Sequence, residues 1–198
     1  MSVSEAAEAA AQKAQMRAAA LAVRNTIPAS ARAALAQTLL LYGPALAQST
    51  QARAVSLYWP IRSEPDTLPL LTLLAERGFA TALPVTGARG EPLTFRQWRP
   101  GEPQSEGSMR IPEPAPHLPE VLPDLLFMPL TVFDKRGRRI GYGAGYYDLT
   151  LKKLRALKPV TAVGVAFAAL EATHVPAEAH DQRLDYVLTE NGLTACAE

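Results

Sequence analysis

The chain has 198 residues, 48% of them hydrophobic, enough for one substantial core and short for two full domains, so a single domain over residues 1–198 is expected. Its net charge of +1 supplies no global field toward nucleic acid or an anionic membrane, so any anion site must be local. A single cysteine, Cys196, leaves no internal disulfide, and no run reaches the roughly 18 apolar residues of a membrane span.

Residues 4–26 are dominated by Ala, Gln, Leu, Met and Arg, which predicts a first helix, with Ser2 and Glu5 placed as a capping box. Glu5, Glu8, Lys13 and Arg17 argue against a signal or transit peptide, and a cytoplasmic setting is expected. "PASARAALAQTLLLYG" predicts a second helix, with Ser30 as its cap and Gly43 as a left-handed stop. "AVSLYWP", a helix "TLPLLTLLAERG" capped by Asp66, and "FATALPV" then form a β-α-β unit, and "LTFRQW" is an alternating strand. Seven prolines and two glycines between residues 99 and 123 exclude a helix or a central strand there. "DLLFMPLTVF" reads as one strand buried on both faces, feeding directly into "RRIGYGAGYYDL", a helix "YYDLTLKKLRALK" and another buried strand, "VTAVGVAF". The expected fold is therefore α/β: a single layered domain with a mostly parallel central sheet flanked by helices, preceded by a helical pair.

The glycine stretch carries the chemistry. Glycine is placed where φ must be positive or where something must approach the main chain closely. Unpaired N–H groups at a helix N-terminus favour an anion, and Arg138 and Arg139 would add charge-assisted hydrogen bonds. The spacing is neither a Walker A loop nor the dinucleotide GxGxxG, because residue 146 is tyrosine. Asp148, in the first turn of the following helix, complements the helix dipole or holds Mg²⁺, and Glu178, Asp181 and Asp185 are candidates for a second carboxylate. Lys13 and Arg17, four apart, share one helical face. His117, His174 and His180 have no metal-site spacing, and there is no GxSxG elbow.

"MPLTVFDKRGRRIGYGAGYYD" resembles the signature of the 5-formyltetrahydrofolate cyclo-ligases, with weaker matches at Lys13 and Arg17, at "YWPIRSEPDT", at Glu113 and Pro114, and at "HDQRLDYVLTE". The resemblance implies an ATP-dependent, Mg²⁺-requiring closure of 5-formyltetrahydrofolate to 5,10-methenyltetrahydrofolate. It places Lys13, Arg17 and Arg139 on the ATP phosphates, and Gly141, Tyr142, Gly143, Ala144, Gly145, Tyr146 and Tyr147 along a cleft shared by ATP and substrate. Arg139 and Tyr146 are its catalytic candidates, Trp59 and Glu64 its further substrate contacts, and Asp148 and Asp181 its magnesium ligands. Ala144 between the second and third glycines, and the absence of a glutamine after Phe167, depart from the family pattern. The expected partners are small molecules, with no nucleic acid and no membrane, and the expected state is a monomer. A sugar-phosphate or CoA-ester enzyme on the same architecture is the alternative, and an RNA-binding module using "KRGRR" a weaker one.

Overall fold

Helices α1 (Val3–Asn25) and α2 (Ala29–Ser49) precede β1 (Ala54–Ser56), α3 (Leu68–Glu76), β2 (Ala80–Val85) and β3 (Thr94–Gln97). The short strands β4 (Gln104–Glu106) and β5 (Pro112–Pro114) follow, then β6 (Leu125–Pro129), β7 (Val132–Phe133) and β8 (Arg139–Ile140). Helix α4 (Tyr146–Leu157), β9 (Thr161–Val165), a 3₁₀ turn (Ala168–Leu170), β10 (Tyr186–Thr189) and β11 (Gly192–Ala195) complete the chain. This computed structural model describes residues 3–107 and 109–197, so the Ser2–Glu5 capping box lies outside what is described.

Seven strands form one sheet in the order β11-β10-β9-β6-β1-β2-β3. The five central strands pair in parallel, and β3 and β11 run antiparallel at the two edges. The predicted architecture is thus the observed one. The crossover from β1 to β2 moves one way across the sheet and that from β6 to β9 moves the other way. Right-handed crossovers then put α3 and α4 on opposite faces, and the chain direction reverses between the neighbours β1 and β6. In open α/β sheets, the crevice outside the carboxyl ends of two such strands is where ligands settle. Leu125, Leu126, Phe127 and Met128 of β6 are all fully buried, as a strand covered on both faces requires.

Three local readings change. Gly43 does not stop α2, which continues through Pro44 to Ser49. Pro44 removes one helical hydrogen bond, but Leu39, Leu46 and Ala47 are buried around it, and Leu70 of α3 seats against the bare Gly43 backbone. A Cβ there would stand 2.5 Å from Leu70 Cδ1, so Gly43 is a packing glycine. We expect Gly43→Ala to cost roughly 1–3 kcal/mol by overpacking. It should read as a lower urea midpoint with unchanged activity per folded molecule. The expected caps change too: Pro28, not Ser30, is the N-cap of α2, and Thr67, not Asp66, is that of α3, although Asp66 Oδ1 accepts the Leu68 N–H at 3.0 Å.

The third change concerns "DLLFMPLTVF", which is two strands. β6 ends at Pro129, and β7 leaves the sheet to pair with β8 as a separate hairpin. Asp134, 2% exposed, holds that hairpin's turn by accepting the Arg136 and Arg138 N–H groups on Oδ1 and the Val175 N–H on Oδ2. The proline-rich stretch likewise contains the small β4–β5 hairpin, pinned to the end of β2 by Glu113, whose buried carboxylate accepts the Thr86 N–H at 2.9 Å.

Candidate active site

α1 packs across the β7 hairpin, which follows β6, and across the 3₁₀ turn, which follows β9, so it lies along the carboxyl-end crevice. Lys13, Arg17 and Arg24 fall on one face of it, at spacings of four and seven residues, a stripe about 16 Å long at helical rise. Each cation meets a different segment. Lys13 Nζ lies 2.6 Å from Asp181 Oδ2 and 2.8 Å from Glu178 Oε2. Arg17 Nε donates to the Gly141 carbonyl at 2.6 Å. Arg24 Nη2 donates to the Tyr142 hydroxyl at 2.6 Å, and its Nε to Ser63 Oγ at 3.1 Å.

The glycine loop has the conformation its composition demands. Gly143 has φ +96° and Gly145, the N-cap of α4, has φ +72°, a region that side chains avoid. A Cβ on Gly143 would also stand 3.3 Å from Arg17 Nη2, so the loop is bare where a guanidinium lies against it. Arg139 enters from β8. It donates to the Gln182 carbonyl and to Asp148 Oδ1, the latter at 2.9 Å, and the Gln182 N–H donates to the same Asp148 oxygen at 3.0 Å. Asp148 therefore clamps β8, the first turn of α4 and the segment before β10. Its Oδ2 makes no hydrogen bond with the described residues.

The other end of the stripe is buried. Arg24 is 1% exposed and the Glu64 side chain 2%. Arg24 Nη1 and Glu64 Oε1 stand 4.0 Å apart, and each lacks a hydrogen-bond partner among the described residues. Glu64 Oε2 accepts the Ile61 N–H at 2.9 Å. Burial pushes the Glu64 carboxyl above its ordinary value, partly offset by the Ile61 N–H, Tyr142, Arg24 and Arg62. Tyr147 lies near Glu64 and Arg139, and burial pushes its phenol far above the usual range. Tyr142 is also raised, first by burial, against the hydrogen bond from Arg24. Burial alone would lower Lys13, but the hydrogen bonds it donates to Asp181 and Glu178 outweigh it and raise its pKa.

Trp59 and Tyr146 make contacts of their own. Trp59 meets Trp98 edge to face, with centroids 6.0 Å apart and ring planes at 79°, and the Tyr146 hydroxyl reaches the Gly87 carbonyl in the β2–β3 loop at 3.4 Å. Ala144 is exposed between two left-handed glycines. Asp185 belongs to the scaffold: its Oδ2 accepts the Ala162 N–H at 2.7 Å and pairs with Arg155. Glu178, His180 and Asp181 bring three ligand atoms within 4.8 Å of one another. The residue that sequence reasoning missed is Arg24. Its signal was the seven-residue step from Arg17, which keeps it on the same helical face.

A switch-point crevice lined by a basic helix, with a bare loop leading into a helix N-terminus and buried polar groups at one end, is the kind of site an α/β enzyme offers to an anionic ligand. The chain belongs to the 5-formyltetrahydrofolate cyclo-ligase family, whose model matches residues 9–190. It is 36% identical over 192 residues to the 5-formyltetrahydrofolate cyclo-ligase of Mycolicibacterium smegmatis, covering 92% of this chain and 96% of that one. It is 27% identical to the Mus musculus enzyme of that name, covering 82% and 86%. Among solved structures, the Aquifex aeolicus 5,10-methenyltetrahydrofolate synthetase superposes with a TM-score of 0.76 at 25% identity, covering 94% of this chain and 93% of that one. The Mycoplasma pneumoniae synthetase, at a TM-score of 0.71 and 20% identity, covers 90% and 98% and shares the fold. Family membership decides for the cyclo-ligase reading over a sugar-phosphate or CoA-ester enzyme.

Proposed function

We propose that this chain performs its family's reaction along the α1 stripe, with the triphosphate at the Lys13–Arg17–Arg139 end and the pterin at the Glu64 end. The formamide oxygen of 5-formyltetrahydrofolate is a poor leaving group. Attack of that oxygen on the γ-phosphorus of ATP releases ADP and makes the oxygen part of a phosphate ester. N10 then adds to the activated carbon, loses its proton, and phosphate departs, leaving the 5,10-methenyl ring. The protein's part is positioning and charge neutralisation, as in phosphoryl transfer generally. Arg17 and Arg139 are held by main-chain and carboxylate partners so that their remaining N–H groups can meet phosphate oxygens. The helix N-terminus at Gly145 offers its unpaired amides. Tyr146, the first residue of α4, flanks the same amides, and Trp59 supplies a wall for the flat ring.

The observation that carries this reading is the alignment of both ends under one helix: basic groups against a glycine loop at one end, and a desolvated carboxylate at the other. Mg²⁺ belongs to the reading as well, and the donor set suits it, because hard carboxylate oxygens are its usual protein ligands. Asp181 and the spare oxygen of Asp148 would hold it, with Glu178 alongside, and it would screen the triphosphate charge. A cytoplasmic setting is assigned from composition, with a monomer as the expected state; none of the described helices is long and apolar enough to cross a membrane.

Addition of ATP, Mg²⁺ and 5-formyltetrahydrofolate should generate the methenyl chromophore, and omission of either ATP or Mg²⁺ should abolish it. Methenyl formation without nucleotide would overturn the assignment.

Glu64 sets a pH expectation. Its folded value is raised by burial, so protonation begins at a higher pH than for an exposed glutamate. The ionised form accepts hydrogen bonds from the pterin, so the KM for folate should rise as pH falls through a value above 4.5 while the KM for ATP stays level. The same sign governs stability: the folded state loses stability as pH rises through that raised value, because ionisation inside the fold is disfavoured. Glu64→Gln should raise the folate KM at neutral pH and remove its pH dependence. An unchanged folate KM would take Glu64 out of the substrate site.

A further inference from the structure

Arg24 belongs to none of the motifs that identify the family reading, yet it is the most completely buried charged side chain of the stripe. Three of its contacts are structural: Nε to Ser63, Nη2 to the Tyr142 hydroxyl, and the Tyr142 ring 5.6 Å from its guanidinium carbon. Nη1 is different. A buried donor without an acceptor keeps its desolvation penalty uncompensated, and an equally buried carboxylate oxygen without a donor costs at least as much. Here the two face each other at 4.0 Å, beyond hydrogen-bond reach. Two groups left open side by side, one donating and one accepting, are complementary to a ligand edge that carries an acceptor beside a donor.

We propose that Arg24 is a substrate-binding and specificity-determining residue, and that Arg24 and Glu64 together read the lactam edge of the pterin. Glu64 Oε1 accepts from the ring N3–H and Arg24 Nη1 donates to the 4-oxo oxygen. The proposal rests on the reading that the pterin lies at Glu64, and it refines that reading in one respect. Glu64 Oε2 is already engaged by the Ile61 N–H, so the carboxylate offers one open oxygen, and the second hydrogen bond to the ring comes from Arg24. Tyr142 covers the pair, 37% exposed and flanked by Gly141 and Gly143, so the ring enters when that loop segment turns aside. The guanidinium also supplies the charge that keeps Glu64 an acceptor despite its burial.

The edge has a polarity, and that makes the proposal testable on the unmodified protein. In the 4-amino counterpart of 5-formyltetrahydrofolate, the 4-oxo acceptor is replaced by a donor and N3 loses its proton, so both hydrogen bonds are reversed. Titration calorimetry without ATP should show the 4-oxo ligand binding roughly ten- to a hundredfold more tightly than the 4-amino one. Arg24→Gln should weaken the 4-oxo ligand and narrow that ratio while leaving ATP affinity in place, and Arg24→Lys, which keeps a donor and the charge, should restore part of it. Equal binding of the two ligands by the wild-type protein overturns the proposal, even if Arg24→Gln fails to fold. So does a ratio unchanged in a folded Arg24→Gln protein. A wild-type protein that neither binds nor turns over the 4-oxo ligand sinks the functional reading instead, which separates the two failures.

Discussion

Asp148→Asn should leave the protein folded and lower its turnover roughly a hundredfold or more. Three contributions meet on this carboxylate, and the substitution separates them. As a negative group in the first turn of α4 it complements the helix dipole, by about 0.3–1 kcal/mol. As a clamp its Oδ1 takes the Gln182 N–H and pairs with Arg139, and asparagine keeps an acceptor oxygen for both. Stability should therefore fall by no more than about 1 kcal/mol. On the proposed reading it also supplies a full charge toward Mg²⁺ beside the triphosphate, and asparagine does not. The loss should fall on turnover, and raising Mg²⁺ should recover part of it. Near-normal turnover with unchanged magnesium dependence, in a protein that melts as the wild type does, would reduce Asp148 to a clamp and place the metal elsewhere.

Lys13→Met should reduce kcat/KM for ATP by a comparable factor, roughly a hundredfold. The ammonium is tied to Glu178 and Asp181 and held firmly protonated by them. In the free protein it neutralises two carboxylates; on the proposed reading Asp181, with Glu178 alongside, would hold Mg²⁺ and leave Lys13 for the phosphates. Removing it deprives the phosphates of a cation and leaves two acidic groups facing the incoming nucleotide. The folate KM should change little. Arg is a poor substitute, because a compact ammonium fits between two carboxylates where a planar fork does not. If Lys13 merely ties α1 to the segment before β10, the variant will melt at a lower temperature with an unchanged KM for ATP.

The β-α-β units, the glycine loop and the helix beyond it were legible because each has a local physical cause. Buried parallel strands need unbroken apolar runs, and left-handed φ needs glycine, as at Gly143 and Gly145. Gly43 looks the same in sequence and means something else, because its reason is Leu70, 27 positions away. The break between β6 and β7 was hidden inside one apolar run: both strands are buried, so composition does not change where the chain leaves the sheet. Arg24 was missed for a related reason. An arginine in an alanine-rich helix reads as a solvated charge until Ser63, Tyr142 and Glu64 close over it. Glu64 was found by resemblance, but the engagement of its second oxygen by Ile61 belongs to tertiary structure alone.

The proline-rich stretch, from which a helix or a central strand is excluded, doubles back along the outer side of β3. There the Gln97 N–H donates to the Pro119 carbonyl, the Val121 N–H donates to the Phe95 carbonyl, and Arg96 bonds to Pro116, Leu118 and Glu120. An edge strand left bare is a template on which another chain can add itself. Here its free amides and carbonyls are met by a segment whose prolines, Pro116 and Pro119 among them, have few amides of their own to pass the ladder onward. The sheet is sealed on this side against self-templated growth. Shortening this segment should therefore show up first as aggregation during expression, ahead of any loss of activity per folded molecule.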